Sequence, residues 1–411
     1  MGDTEHRAEV AADDIDDHGM ATDAVPSGEA PVAEDAAWNA QPLADVDPPP
    51  VVPRPVAIVD DDDDTPCEIL SVSFNQDYQC VAVGTSNGFR IYNCDPFKRT
   101  FRREPMQGGI GLIEMLFRCN ILALVGGGRN PRYPPNKVMI WDDHQSRCIG
   151  ELSFRSEVRR VRLRRDRIIV VLDQKIYVYN FADLKLLDHI ETVRNPDGLC
   201  SVCALPASNV LVCPGLQRGH VRVELYSMES RPTTLIPAHE SAISALATNS
   251  DGSLCATASQ KGTLLRIWDT SRGALVQEVR RGADRARVTS IAFNADSTFL
   301  VASSDKGTVH IFRLSYPQRD DHPEPVSVGG GHSSSSSLGF VKGYLPKYFS
   351  SEWSHSRFRV PDTDTIVAFG TEPNTIIVVS TQGMAYKAKF NPDVPGECTQ
   401  ESCVQFCGNI I

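Results

Sequence analysis

Six short runs of alternating β-branched and aromatic residues end in much the same way along the chain: FRIYN (89–93), KVMIWDD (137–143), KIYVYN (175–180), VRVELYS (221–227), LLRIWDT (264–270) and TVHIFRL (308–314). Their spacing is roughly forty to fifty residues, the length of one four-stranded antiparallel sheet repeated as a unit. Upstream of several endings stands a matching partner, as in SVSFNQDYQCVAVGTSNG (71–88), SALATNSDGSLCATASQKG (244–262) and SIAFNADSTFLVASSDKG (290–307). Each reads as strand, Asx-type turn, strand, then a glycine turn. A seventh unit is TIVAFGTEPNTIIVVSTQGMAYKAKF (365–390), set off from the sixth by a long polar insertion. No long amphipathic helix interrupts the pattern. The chain is therefore expected to be all-β, a seven-bladed propeller over residues 66–411 whose ring closure leaves few exposed sheet edges.

Trp141-Asp142 and Trp268-Asp269 supply the dipeptide of WD40 repeats, and the other units replace it, as degenerate repeats do. The chain of 411 residues carries a net charge of −11, unevenly placed. Residues 1–65 hold 18 acidic side chains, five of them in the run 60–64, against Arg7 and Arg54, a balance of −16. The remainder holds 39 basic against 34 acidic side chains and is mildly basic. Rich in Ala, Pro and Asp, with one aromatic (Trp38) and no hydrophobic period, residues 1–65 read as a disordered acidic tail. The start lacks the cationic and apolar regions of a secretory signal, and no apolar run is long enough to span a bilayer, so a soluble intracellular protein is expected.

The twelve cysteines fall mostly inside apolar runs (Cys80, Cys119, Cys213, Cys255) and read as reduced core side chains. Cys200 and Cys203 form a lone CxxC with no second pair at zinc spacing, so no metal and no other cofactor is expected. The motifs of phosphate-binding loops, dinucleotide sites, zinc peptidases and serine hydrolases are all missing, which argues against an enzyme.

The stretch QEVRRGADRARV (277–288) gathers four arginines between the fifth and sixth units. In extended backbone successive side chains point to opposite sides, so Arg280 and Arg281 diverge and one pair can serve two pockets. Guanidinium forks suit phosphate. Matched residues recur in the flanking blades: His239, Thr257, Ser259, Thr263 and Arg266 in blade five, and Ser303, Ser304, Lys306, Thr308 and His310 in blade six. Such hydroxyls, imidazoles and cations can satisfy the oxygens of a phosphorylated sugar ring, or can instead tie strands together as in ordinary WD40 repeats.

VRRG (279–282) resembles the Phe/Leu-Arg-Arg-Gly motif of the PROPPIN family, also called WIPI proteins, with Val279 in place of the usual Phe or Leu. The similarity extends to LVGGGRNPRYPPNKVMIWDD (124–143), LRRDRIIVVLD (163–173), PAHE (237–240), ATASQKGTLLRIWDTS (256–271), SSDKGTVHIF (303–312), LPKYFSSEWSHSRFRVP (345–361) and AFGTEPNTIIVVS (368–380), and leaves the acidic tail unmatched. The resemblance implies a non-enzymatic seven-bladed propeller that binds phosphatidylinositol 3-phosphate and the 3,5-bisphosphate and supports autophagosome formation at preautophagosomal, endosomal or vacuolar membranes. It implies a first lipid site of Arg280, His239, Ser259, Thr263 and Arg266. A second site would comprise Arg281, Ser304, Lys306, Thr308 and His310. Neighbouring hydroxyls alternate, so one register step would swap them.

The insertion at about 316–360 passes from QRDDHPEP through GGGHSSSSS to LGFVKGYLPKYFSSEW (338–353). Phe340, Val341, Tyr344 and Leu345 are its expected membrane-inserting residues, as the family resemblance implies for this loop; Pro346 limits any continuous helix. From about Tyr348 onward the segment is expected to pack on the propeller. The proline-rich PRYPPNK (131–137) reads as a stiff exposed turn or as a recognition element. Resemblance favours the second, with an elongated autophagy lipid-transfer protein as partner. A monomer in solution is expected. A WD40 interaction scaffold without lipid binding is the competing class, and nucleic-acid binding is disfavoured because the basic charge forms a small patch and no stripe.

Overall fold

The computed structural model describes residues 56–57, 68–226, 232–315 and 352–407. Among them are seven antiparallel sheets and no helix. Blade one is built from Ile69–Phe74, Cys80–Thr85, Gly88–Cys94 and Phe97–Arg103, and blades two to four repeat the order from Ile110–Met115, Arg160–Leu163 and Ser201–Val202. Blade five comprises Ile243–Thr248, Leu254–Ser259, Leu264–Asp269 and Leu275–Arg280. Blade six comprises Val288–Phe293, Phe299–Ser304, Thr308–Arg313 and, across the insertion, Ser356–Arg359. Blade seven comprises Thr365–Phe369, Thr375–Ser380, Met384–Lys389 and Thr399–Gln405.

Burial follows position within a blade. The second strands Cys80–Thr85, Phe299–Ser304 and Thr375–Ser380 are buried at every residue, because neighbouring blades cover both faces. Fourth strands such as Arg147–Ser153 alternate, with one face toward solvent. Near the axis, polar side chains stitch one blade to the next: Ser73 Oγ donates to Ile113 O at 2.8 Å, and Gln76 Nε2 reaches both Met115 O (2.6 Å) and Leu163 O (3.0 Å). The ring closes between blades one and seven on Tyr92, whose hydroxyl donates to Phe406 O at 3.1 Å and whose ring packs against Phe97 and Phe406.

Blades five, six and seven each gain a two-residue parallel strand on their outer edge: Glu352–Trp353, Gly396–Glu397 and Val56–Ala57. Such capping satisfies edge groups that would otherwise invite pairing with another chain. Val56–Ala57 lies inside the stretch assigned from sequence to the acidic tail, and the rest of 1–65 lies outside the described residues. The blade-six insertion joins that blade's third strand to its fourth, and the chain from Glu352 onward is paired into the sheets.

Eight cysteines among the described residues, including Cys200 and Cys203, are buried core residues as expected, but Cys119 is exposed in the turn that follows Met115. The apolar run around it is broken between the strands Ile110–Met115 and Ile121–Gly126, where the Cys119 N–H donates to Leu116 O and closes a turn. Burial pushes the Cys200 thiol up to about 12, so it is protonated, and Cys203 Sγ accepts from Arg164 at 3.0 Å. Among the described residues no cluster of potential metal ligands forms, and no helix is long and apolar enough to cross a membrane.

Candidate functional site

Blades five and six present the same turn twice. Ser259-Gln260-Lys261-Gly262-Thr263 and Ser304-Asp305-Lys306-Gly307-Thr308 both join a second strand to a third. In each, the glycine N–H donates back to the serine carbonyl, at 2.8 Å from Gly262 and 3.1 Å from Gly307. Both glycines hold positive φ, 61° and 66°. A side chain on either would collide with the link that follows its blade: a Cβ at 262 would stand 1.7 Å from Ala286 O, and one at 307 would stand 2.4 Å from Val360 O. The turns are thereby pressed against the blade connections, and the first of these connections carries the arginine pair.

Arg280 is the last residue of the fourth strand of blade five, opposite Leu264 on one side and Trp353 on the other. Arg281 is the first residue of the link. Its N–H donates to Thr263 O at 2.9 Å, its Nε to Gly262 O at 2.6 Å and its Nη2 to Asp284 O. Both arginines are only 8% exposed. Burial lowers the Arg281 pKa, opposed by the nearby charges of Asp305 in the blade-six turn and Asp284 in the link, while its hydrogen bonds go to the blade-five turn and the link. The two neighbours thus lie in different surroundings, Arg280 in the edge pairing of blade five and Arg281 between that blade's turn and the next.

In the blade-five set, Ser259 is buried, Thr263 is half-buried in the turn, and Arg266 is held by Glu278 (Nε to Oε2, 2.9 Å) and Ala238 O (Nη1, 2.6 Å). His239 takes part in an internal network: its Nε2 lies 2.9 Å from Thr257 Oγ1, which also accepts from Trp268 Nε1 at 3.0 Å. Trp141 of the other WD pair makes no such link and donates to Asp143 at 3.2 Å. Burial, reinforced by Arg266, brings the His239 pKa down to about 4.

In the blade-six set, Ser304 is buried, Lys306 is exposed at the turn and Thr308 is half-buried beside it. Ser303 is spent elsewhere, its Oγ donating to Thr365 O at 3.0 Å to tie blade six to blade seven. His310 is buried, with Nδ1 3.2 Å from Ser354 Oγ. Its pKa is brought down to about 4 by burial, then by Arg281 and Arg357. Both imidazoles are neutral at pH 7, so each offers one donor and one acceptor while the arginines carry the charge.

Sequence reasoning missed Lys261, the counterpart of Lys306 in the repeated turn, which is exposed with Nζ 3.6 Å from Glu240. Aligning ASQKGT on SSDKGT would have found it. It also missed Arg357 and Arg359, exposed residues opposite His310 and Thr308. The alternation in SRFR was the available signal. Gly282 of VRRG has open space around it, since a Cβ there would meet nothing within 4 Å. Phe340, Val341, Tyr344 and Leu345 lie outside the described residues. In 131–137, Pro131, Pro134 and Pro135 are exposed while Tyr133 turns back on blade two, its hydroxyl 3.7 Å from Cys148 Sγ. A cleft of about 350 Å³ between blades seven and one lies apart from all these residues, with Lys387 bonded there to Asp95 at 2.9 Å.

The family described as PROPPIN matches residues 68–402. This chain belongs to the PROPPIN family. A relative in Arabidopsis thaliana, autophagy-related protein 18e, is 43% identical over 328 residues, 79% of this chain and 84% of that one. The structure of Kluyveromyces lactis Hsv2 with its complete loop 6CD superposes with a TM-score of 0.66 at 25% identity, over 82% of this PROPPIN and 98% of that chain. A complex of KlAtg21 with the coiled coil of AgAtg16 contains a propeller that matches with a TM-score of 0.65 at 26% identity, covering 82% and 99%. The seven-bladed ring of this PROPPIN is thus a family architecture.

Proposed function

We propose that this PROPPIN is a non-enzymatic autophagy effector that binds phosphatidylinositol 3-phosphate and phosphatidylinositol 3,5-bisphosphate through two rim sites flanking Arg280 and Arg281. The observation that carries the reading is the doubled turn. Two equivalent serine, lysine, glycine and threonine turns flank the junction of blades five and six, which carries two adjacent buried arginines. Site one comprises Arg280 with His239, Ser259, Thr263 and Arg266; site two comprises Arg281 with Ser304, Lys306, Thr308 and His310. A phosphate entering site two competes with Gly262 O and Asp284 O for the Arg281 fork, and charge-assisted bonds to phosphate are the stronger. Two weak sites on one rim reinforce each other, because the first bound lipid raises the effective concentration at the second.

Relatives named for autophagy support the membrane setting, and the KlAtg21 complex with the AgAtg16 coiled coil supports a protein partner besides lipid. An elongated autophagy lipid-transfer protein, met by loops of the first three blades, is the partner we infer, with peripheral binding at preautophagosomal, endosomal or vacuolar membranes.

The internal network of His239, Thr257 and Trp268 favours a second reading, a protein scaffold whose arginines staple two blades. Vesicle flotation with and without phosphatidylinositol 3-phosphate separates the two, comparing wild type with folded Arg280→Thr/Arg281→Thr. Lipid-dependent flotation of wild type alone supports the headgroup sites. Equal behaviour of both proteins supports the scaffold.

A further inference from the structure

The cleft of about 350 Å³ between blades seven and one holds an excess of negative charge that the lipid reading does not use. Phe97, Ile377 and Val404 give it an apolar lining, and its charged groups gather on Lys387. Lys387 Nζ meets Glu372 Oε2 at 2.8 Å, Asp95 Oδ2 at 2.9 Å and Glu401 Oε2 at 3.4 Å. One ammonium among three carboxylates leaves two negative charges over within this group. Glu401 is the extra residue of a bulge, since Lys387 stands opposite Ser402 while Ala388 stands opposite Gln400. Bulges re-aim a side chain, and this one brings the Glu401 carboxylate to Lys387.

The chain's own sequence supplies a matching cation at the matching place. Val56 and Ala57 pair in parallel with Val404 and Gln405 on the outer edge of blade seven, and VVPRP (51–55) comes directly before them. Arg54 is the one Lys or Arg between Arg7 and the first strand of blade one. Carrying the register back by two residues sets Arg54 level with Ser402. Level residues of paired strands share a face, and Ser402 and Val404 both line the cleft. Proline is accepted in a sheet only where its nitrogen is turned away from the ladder. Pro53 and Pro55 alternate with Arg54 and Val56, the spacing that an edge strand here requires.

We propose that Arg54 is a latch for this cleft: residues 53–55 extend the edge strand on blade seven, and the guanidinium enters the carboxylate group of Asp95, Glu372 and Glu401. Asp95 belongs to blade one and the two glutamates to blade seven, so the latch spans the seam where the ring closes. Continuity with the Val56–Ala57 pairing and complementary charge select this arginine as the occupant. The latch is independent of lipid binding.

The test is hydrogen exchange read by mass spectrometry on the full chain, following residues 399–405 with the core strand 299–304 as reference. Arg54→Ala and Arg54→Glu are expected to speed exchange in 399–405 by about fivefold or more and to leave 299–304 at the wild-type rate, which also shows that both variants fold. Glu372→Gln/Glu401→Gln should act alike, and adding Arg54→Ala to that pair should change little more, because the same contact is already gone. The charge exchange Arg54→Glu/Glu401→Arg should return the rate toward wild type. Wild-type exchange in Arg54→Glu overturns the latch. So do arginine and glutamate effects that multiply in the combined variant, since the carboxylates then serve another partner, such as a basic peptide from a second protein.

Discussion

Arg281 begins the link after blade five and His310 lies in the third strand of blade six, yet the guanidinium of the first helps burial hold the imidazole of the second down to about 4. The ring is thereby kept neutral where a free histidine is partly charged. His239 is held at about 4 in the same way, by burial and then by Arg266. An unfolded histidine titrates near 6.5, so between that value and about 4 the unfolded chain binds more protons than the folded one. Stability is full above the unfolded value and is lost as pH falls toward the folded one. Urea unfolding at pH 7 and pH 5 should show a loss to which each histidine contributes about 1–2 kcal/mol. His310→Gln should shrink the difference between the two pH values by that amount. An unaltered difference would mean that His310 is protonated without strain in the fold.

The repeated turn makes Lys261 and Lys306 equivalent, although only the second was expected from sequence to contact lipid. Each is exposed on its turn, and a basic side chain near an anionic surface contributes about 1 kcal/mol. Lys261→Ala and Lys306→Ala should therefore each weaken binding to vesicles containing phosphatidylinositol 3-phosphate by about fivefold, and the two effects should add. A loss confined to Lys306→Ala would show that blade five carries no lipid.

Ring closure rests on Tyr92, fully buried between Phe97 and Phe406 with its hydroxyl on Phe406 O. Tyr92→Phe removes one hydrogen bond and leaves a buried carbonyl, for an expected loss of about 1–2 kcal/mol. Tyr92→Ala opens a cavity at the seam between the first and last blades, with an expected loss of about 3–5 kcal/mol. Denaturant melts of the three proteins would order them wild type, Phe, Ala; equal midpoints would place closure elsewhere.

Much of this was legible because a propeller repeats its chemistry. The six alike strand endings carried the blades, and VRRG marked the junction of blades five and six. What escaped had no side-chain period to reveal it. Val56–Ala57 and Glu352–Trp353 join sheets by parallel main-chain pairing with partners far along the chain, and two residues are too few to show alternation. Arg357 and Arg359 were hidden for a related reason, since the strand bearing them completes blade six only after the long insertion. The WD signal was uneven as well: Trp268 joins the histidine network while Trp141 does not.

The acidic stretch before blade one gives the last prediction. Residues 1–55 hold 13 carboxylates against Arg7 and Arg54, whereas the propeller's rim presents Lys261, Lys306, Arg357 and Arg359 to solvent. An anionic vesicle repels the first and attracts the second, and both effects fade beyond a Debye length of about 8 Å at physiological salt. Deleting residues 1–55, which spares the Val56–Ala57 pairing on blade seven, should strengthen binding to anionic vesicles at low ionic strength. The gain should shrink as salt is raised. Binding that is unchanged at every salt concentration would remove electrostatic restraint from the roles of this segment, and a gain that persists in high salt would point to a contact other than charge.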